Sequence, residues 1–469
     1  MTEPGEWVGD WWVPGLDQRV VGILTYHPAD GLSLRLVRMS SRSPFGESQN
    51  PNGLPFWPVL HGSVRGTPVT LLGVQCTGME TNFTERAAEF EARVDTFLHG
   101  LNLPDADDAV FVGATIEVDW LTAWSGVESL VSDDGSSVEV IALPVTMPSV
   151  AVGDWTVGLF HSLRYPSIGK CKAERYLQTS EAVSAYLRTD VPLSLMDALA
   201  PLDSIAHLMS LASLENCGVI SESLTLPYPS DEDTLVRHDL RRVEVYRSHI
   251  VTSTGGGDGT HASFLLKSDD IAFEELLPRW LSLHEKQATV IGMVLGLRYL
   301  PDGFIEPRVV TAVGAAETLQ NELDKSTEMP PEEHSALRRA VMKVVPDGRK
   351  QWVRERLASN KPKLSDRLVN LAGLLGEQVR DALLPDVQRW ADRSVRARNH
   401  LAHTGETDFD GRELRAVVEV TSAVVMLVLL KRLGQSEERL LDAVKNHPEV
   451  NYARRLARLH FGTPHDAVQ

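Results

Sequence analysis

Thr254-Gly-Gly-Gly-Asp-Gly-Thr260 is the point at which the hydrophobic period of this chain changes. No Lys-Ser or Lys-Thr follows it, and the strand-to-helix setting of a phosphate-binding loop is missing, so it reads as a flexible break. On its N-terminal side, Arg19-Val-Val-Gly-Ile-Leu-Thr-Tyr26, Leu32-Ser-Leu-Arg-Leu36, Thr67-Pro-Val-Thr-Leu-Leu72 and Ala109-Val-Phe-Val-Gly-Ala-Thr-Ile-Glu-Val118 run apolar or alternate with period two, as strands do. Turn chemistry punctuates them at Pro28-Ala-Asp-Gly31, Pro51-Asn-Gly53 and Asp133-Asp-Gly135. The text stays strand-like to about Val251, with one helix expected near 85–98. On the C-terminal side, 271–300, 309–323, 331–345, 352–357, 365–374, 383–402 and 414–433 show helical spacing rich in Leu, Ala, Glu and Arg. Asp302-Gly303, Gly405 and Gly434 stand where a glycine closes a helix. The expected class is α+β in two segregated domains: a β-rich, sandwich- or barrel-like domain over 1–265, then an all-α helical bundle over 266–469. A chain of 469 residues suits that count.

Charge divides the chain at the same place. Residues 271–469 hold 29 Lys and Arg against 28 Asp and Glu, a net of +1. The whole chain has 46 and 64, so residues 1–270 hold 17 and 36, a net of −19. Within the neutral half, 338–367 carries Arg338, Arg339, Lys343, Arg349, Lys350, Arg354, Arg356, Lys361, Lys363 and Arg367 against Asp347, Glu355 and Asp366. Arg349, Lys350, Arg354, Arg356, Lys361 and Lys363 form a candidate patch for phosphates, with a solvated helix face as the plain alternative.

Several classes are excluded early. The longest charge-free apolar run, 420–430, falls well short of the roughly 20 residues that cross a bilayer, and reads as a buried helix. Met1-Thr2-Glu3-Pro4-Gly5-Glu6 lacks the basic start and apolar run of a secretory signal, so a cytoplasmic location is expected. Cys76, Cys171 and Cys217 form no close pair, so neither a disulfide framework nor a CxxC zinc site is expected. Seven of the ten Trp lie in the first half: Trp7, Trp11, Trp12, Trp57, Trp120, Trp124 and Trp155. They suit core packing or, as an alternative, a ligand or glycan platform.

Arg398-Asn399-His400-Leu401-Ala402-His403 ends one of the expected helices, before an acidic loop and the most apolar helix of the chain. Arg, four residues, His occurs three times. Arg279–His284 and Arg455–His460 match the bare spacing, of which chance alone supplies roughly one instance in a chain of this composition. The Asn directly after Arg398 sets the third apart. On an ideal helix Asn399 and His403 share a face, whereas Arg398 and His403 lie about 140° apart. Convergence on one phosphate therefore asks for fraying at Gly405 or a second copy of the motif. His400 and His403, three residues apart, would make half a zinc site with Asp408 or Asp410, but no Cys or further His is near.

Arg-Asn-x-x-x-His before a buried helix, with Ala316-Glu317 on an earlier helix, resembles the ApeA-like subgroup of HEPN domains, a family of helical endoribonucleases and inactive relatives. Trp11-Trp-Val-Pro-Gly15, Gly22-Ile-Leu-Thr-Tyr-His-Pro-Ala-Asp-Gly-Leu-Ser-Leu34 and His61-Gly-Ser-Val-Arg-Gly-Thr-Pro-Val-Thr-Leu-Leu72 resemble the ApeA N-terminal domain. The resemblance implies anti-phage abortive infection through RNA cleavage, a HEPN bundle that forms homodimers, a phage-derived trigger, and Glu317 at an acidic family position. It implies RNA as partner, tRNA among the candidates, with no cofactor, metal or membrane.

The residue types suit that chemistry. Cleavage without a metal takes a base for the 2′-OH, an acid for the leaving 5′-oxygen, and positive charge for the phosphorane. His403 supplies an imidazole, the side-chain type that changes charge near neutrality, and Arg398 a permanent cationic fork. Asn399 is the candidate to orient the imidazole or bond a phosphate or ribose. Glu317 and His400 are supporting candidates. The competing readings are a non-catalytic HEPN scaffold for RNA or protein, and a ligand-binding β domain with a structural helical dimerisation domain.

Overall fold

The computed structural model describes residues 1–39, 45, 55–82, 87–132, 138–140, 145–170, 175–227, 242–253, 263–300 and 303–462. The turns expected at Pro51-Asn-Gly53 and Asp133-Asp-Gly135, the break at 254–260, Asp302 and Cys171 lie outside these residues. Contacts divide the chain into two compact units, Met1–Leu281 and Ser282–Gln469.

The first unit contains a closed barrel. Strands β1 (Gly5–Trp12), β2 (Val20–His27), β3 (Gly31–Met39), β4 (Phe56–Val64), β5 (Thr67–Asn82) and β6 (Ala87–Val94) pair antiparallel in the order β1-β2-β3-β6-β5-β4, and β4 returns to β1. Period-two alternation makes closure possible: Leu24 and Tyr26 point inward while Thr25 and His27 are exposed. Trp11, Leu34, Leu60, Leu71, Phe90 and Phe97 belong to the core they form. Trp11 needs its glycine neighbours. A Cβ at Gly62 would meet the indole at 2.5 Å, and one at Gly22 would meet Leu36 at 2.6 Å and the indole at 3.0 Å.

Strand β5 leaves the barrel at one end. Its Val69–Leu72 stretch pairs with β7 (Thr96–His99), and its later residues pair with β6. The handover falls at Gly73, whose φ of +64° suits glycine and where a Cβ would strike the Asp95 carboxylate at 2.0 Å. From β7 an antiparallel sheet continues through β15 (Arg242–Arg247), β14 (Val219–Thr225), β8 (Phe111–Val118), β13 (Arg175–Leu193), β12 (Trp155–Lys170) and β11 (Ser149–Val152). Strands β9 (Leu130–Ser132) and β10 (Val138–Val140) form a separate pair, after the short helix α1 (Leu121–Ser125).

Two expectations are corrected here. The helix expected near 85–98 is overturned over its described residues: 87–98 hold β6 and most of β7, with Phe90, Ala92 and Val94 buried and Glu91 and Arg93 exposed, while 85 and 86 lie outside the described residues. Helix-forming Glu, Ala and Arg masked a period of two, and barrel pairing overrode propensity. The strand-like text to Val251 also contains α2 (Leu195–Ser213), which packs on β8 and β13. Ser194 caps it by accepting from the Asp197 N–H at 3.3 Å. The described cysteines, Cys76 and Cys217, are free and buried, and burial pushes the Cys217 thiol up to about 11.

The second unit is helical. After α3 (Phe273–Tyr299), which begins in the first unit, come α4 (Ile305–Leu323), α5 (Pro331–Val344), α6 (Lys350–Arg356), α7 (Leu364–Gly373), α8 (Glu377–Leu383), α9 (Val387–Thr404), α10 (Gly411–Leu433), α11 (Glu437–Asn446) and α12 (Pro448–Phe461). The helix expected over 383–402 is present but starts later, at Val387, because Leu383 ends α8. Pro385 separates the two, and Asp386 starts α9 by accepting from the Arg389 N–H at 2.8 Å. Helices α11 and α12 lie beyond those expected. Gly405 and Gly434 do close α9 and α10, with φ of 72° and 108°. Helix α10 is the axis of the bundle, buried along nearly its whole length and packed by α4, α9 and α12. Among the described residues no helix is long and apolar enough to cross a membrane.

Candidate functional site

Helix α9 carries the motif, and its packing decides which motif residues remain free. Trp390, Ala391, Ser394 and Ala397 are fully buried, spaced by one, three and three residues, and they turn one face toward the bundle. The Trp390 indole N–H donates to Thr421 Oγ1 of α10 at 3.2 Å. That register leaves Arg398 and Asn399 half-buried at the edge of the face and His403 exposed in the last turn.

Arg398 is held by two side chains. Its Nη1 donates to Asn399 Oδ1 at 3.0 Å, and its Nη2 reaches Glu317 Oε2 of α4 at 3.4 Å. The Nε is buried without a hydrogen-bond partner. Glu317 divides its oxygens, because Oε1 accepts from Arg367 Nη2 of α7 at 2.9 Å. Arg367 is 8% exposed and also donates through Nη1 to Asn321 Oδ1 at 2.7 Å. Lys361 Nζ reaches the same oxygen at 3.1 Å. A continuous polar chain therefore runs Lys361, Asn321, Arg367, Glu317, Arg398, Asn399. Asn321 and Arg367 were not among the site residues expected from sequence. Glu317 and Asn321 are four apart on one helix face, a spacing that signals the pair, but nothing in the sequence ties either to α7.

The loop after α9 is pinned across its C-terminal half. Arg393 bonds Glu413, Arg396 bonds Asp408, and both guanidiniums lie against the Phe409 ring at 4.8 and 5.9 Å. Asp410 caps α10, accepting from the Arg412 and Glu413 N–H groups at 2.8 Å while Glu413 bonds back to it. The Glu413 N–H is the main reason the Asp410 carboxyl sits below its usual range. His400 Nδ1 lies 3.6 Å from Asp408 Oδ1, which ties it to this clasp. Among the described residues no group of three His, Cys, Asp or Glu is arranged to hold a metal.

The remaining predicted residues spread out. Lys361 joins the polar chain. Lys363 is exposed at the start of α7, while Arg349, Lys350, Arg354 and Arg356 lie on or beside α6. In the first unit Trp11, Trp57 and Trp124 are buried, and Trp7 packs on Phe97 and Tyr246 with ring centroids 4.8 and 5.1 Å away. Trp7, Trp12, Trp120 and Trp155 are half-buried, so core packing accounts for Trp11, Trp57 and Trp124.

The family model described as ApeA N-terminal domain 1 matches residues 6–280. The model described as Apea-like HEPN matches residues 310–439, which include Glu317, Arg398 and His403. Comparison with curated proteins and with solved structures yields no match.

Proposed function

The chain belongs to the ApeA family, with a β-rich N-terminal domain followed by a helical HEPN domain, and on that premise we propose that it is a metal-independent endoribonuclease of anti-phage abortive infection. The observation that carries this reading is the division of labour on α9. Arg398 is anchored by Glu317 and Asn399, while His403, five residues on, stands exposed to approach a substrate.

In this reading the His403 imidazole takes the proton from a ribose 2′-OH. The 2′-oxygen attacks the adjacent phosphorus, the bond from phosphorus to the 5′-oxygen breaks, and that oxygen takes its proton from the imidazolium, which returns to the neutral form. The products are a 2′,3′-cyclic phosphate and a 5′-hydroxyl. Arg398 stabilises the extra negative charge on the phosphorane oxygens, and its fixed partners keep the fork aimed. Asn399 orients Arg398, since its carbonyl oxygen accepts from that guanidinium. One helix turns Arg398 and His403 toward different sides, so two copies of the chain pairing their α9 helices would supply the Arg and His of each composite centre.

The test is sequencing of 5′-hydroxyl RNA ends after induced expression in cells. The wild type is expected to generate them and to halt growth. Arg398→Ala and His403→Ala are each expected to lower cleavage by about a hundredfold or more, the scale of losing one acid–base or oxyanion group. Unchanged ends and toxicity in both variants, with dimerisation intact, would turn the reading into the non-catalytic scaffold.

A further inference from the structure

Helices α5 and α6 form an arm with no core of its own. No residue from 331 to 356 is buried, and Val344 and Trp352 stand open at 80% and 59% exposure. An amphipathic hairpin left bare is a surface waiting for a partner. Its charge says which one. Between the helices lies a groove of about 810 Å³ whose lining includes Arg338, Arg339 and Lys343 from α5 and Lys350 and Arg354 from α6, with no carboxylate among the lining residues. Among the described residues Lys350 pairs with Asp347 at 2.5 Å, and Arg354 bonds the neutral Gln351 at 3.0 Å. Glu332 and Glu333 occupy the first turn of α5, outside the groove.

The root of the arm is fastened. Asn360 Nδ2 donates to Met329 O at 2.8 Å, and the Glu328 N–H donates to Asn360 O at 2.9 Å, so the two chain segments entering and leaving the arm are zipped together. One residue further, Lys361 opens the polar chain that ends at Arg398.

We propose that the α5–α6 arm is a capture site for single-stranded RNA. The five cations of the groove take successive phosphates, the exposed Trp352 stacks a base, and the root at Lys361 passes the strand toward Arg398. A groove lined by five cations and no carboxylate favours a polyanion over a protein surface, and an indole 59% exposed, with the Arg356 guanidinium 5.6 Å from its ring centroid, favours unpaired bases over a duplex. The inference rests on the RNA-cleaving reading above but concerns affinity, which can be read without turnover.

The experiment uses the full-length protein and a fluorescent oligouridylate, with binding followed by anisotropy across a salt series. Arg338→Ala, Arg339→Ala and Lys343→Ala combined touch no buried side chain, and circular dichroism checks that the fold is kept. The triple variant is expected to bind about tenfold or more weakly at low salt, with a salt slope shallower by about two, since each lost contact to a single strand removes about 0.7. In cleavage assays its KM rises while kcat stays within about twofold. Trp352→Ala weakens binding with the slope unchanged. Wild-type affinity and slope in the triple variant would overturn the proposal. So would Leu337→Glu with Val344→Glu changing the oligomeric state while leaving oligouridylate affinity intact, because a protein partner would then be the occupant. His403→Ala separates the two readings: it must bind as the wild type does and fail to cut. If it cuts, the catalytic reading falls and the arm is judged on affinity alone.

Discussion

At Glu317 a single carboxylate serves two guanidiniums, the nearly buried Arg367 of α7 and the half-buried Arg398 of α9. Removing it leaves Arg367 with Asn321 as its remaining side-chain partner in the chain described above, a buried cation with no neutralising charge. Glu317→Ala is therefore expected to destabilise the helical unit by about 3 kcal/mol, the usual cost of stripping one partner from a buried pair. Glu317→Gln keeps an acceptor and should cost less. Thermal melting of the full-length protein checks this, provided the transition of the helical unit is separated from that of the β unit. Cleavage should fall in both variants, because Arg398 loses the anion that fixes its fork. Unchanged melting in Glu317→Ala would mean that Arg367 is satisfied elsewhere. The Arg-Asn-His motif itself was legible from sequence because its residues are neighbours in the chain. Arg367 and Asn321 were not, since they meet Arg398 only through Glu317, across separations of 50 and 81 residues.

Elements were legible in proportion to how far local pattern and tertiary demand agreed. Helix α10 holds an uncharged, largely apolar run over 420–430 that is buried throughout, so its sequence could mean little else. Residues 85–98 misled because Glu, Ala and Arg favour helices in isolation, whereas β6 is fixed by two neighbours, β3 and β5. Helix α2 was missed although Leu195, Leu199, Leu202 and Ile205 follow helical spacing, because the strands around it set the expectation. The barrel's demand for glycine can be tested directly. Gly62→Ala places a methyl against the Trp11 ring and should cost about 1 to 3 kcal/mol by overpacking, read as a lower melting temperature. Helix α2 gives a pH-dependent counterpart. Burial holds the His207 imidazole below its ordinary value, with Asp203 opposing. Below about pH 6.5 the unfolded chain binds a proton that the folded chain resists, so this residue's contribution to stability declines as pH falls toward its lowered folded value. Glu222, pushed up to about 7 mainly by burial and opposed by Arg247, has the reverse sign, losing stability as pH rises toward 7. The readout must therefore be a difference. The melting temperature of His207→Gln should fall less than that of the wild type between about pH 6.5 and 5, and parallel curves would remove His207 from the account.

Across the whole chain, a strongly acidic half and a nearly neutral half are joined in one polypeptide, −19 over residues 1–270 against +1 over 271–469. Composition made that asymmetry plain, and it bears on how the nuclease we propose is held in check. RNA approaching the basic arm feels the field of the full chain, which at low salt is dominated by the acidic residues and disfavours a polyanion. We expect the domain expected from sequence at 266–469, prepared alone, to bind oligouridylate more tightly than the full chain at low ionic strength. The two affinities should converge as salt shortens the Debye length to about 10 Å at 0.1 M and less beyond. Restraint of this kind also predicts that expressing 266–469 alone is more toxic than expressing the whole chain, and that Arg398→Ala abolishes the added toxicity. Anisotropy titrations of both proteins over a salt series decide it, with circular dichroism confirming that 266–469 folds. Equal affinities at every salt concentration, together with equal toxicity, would show that the acidic half does not restrain the helical one, and would leave ligand recognition by the β unit as the place to look for control.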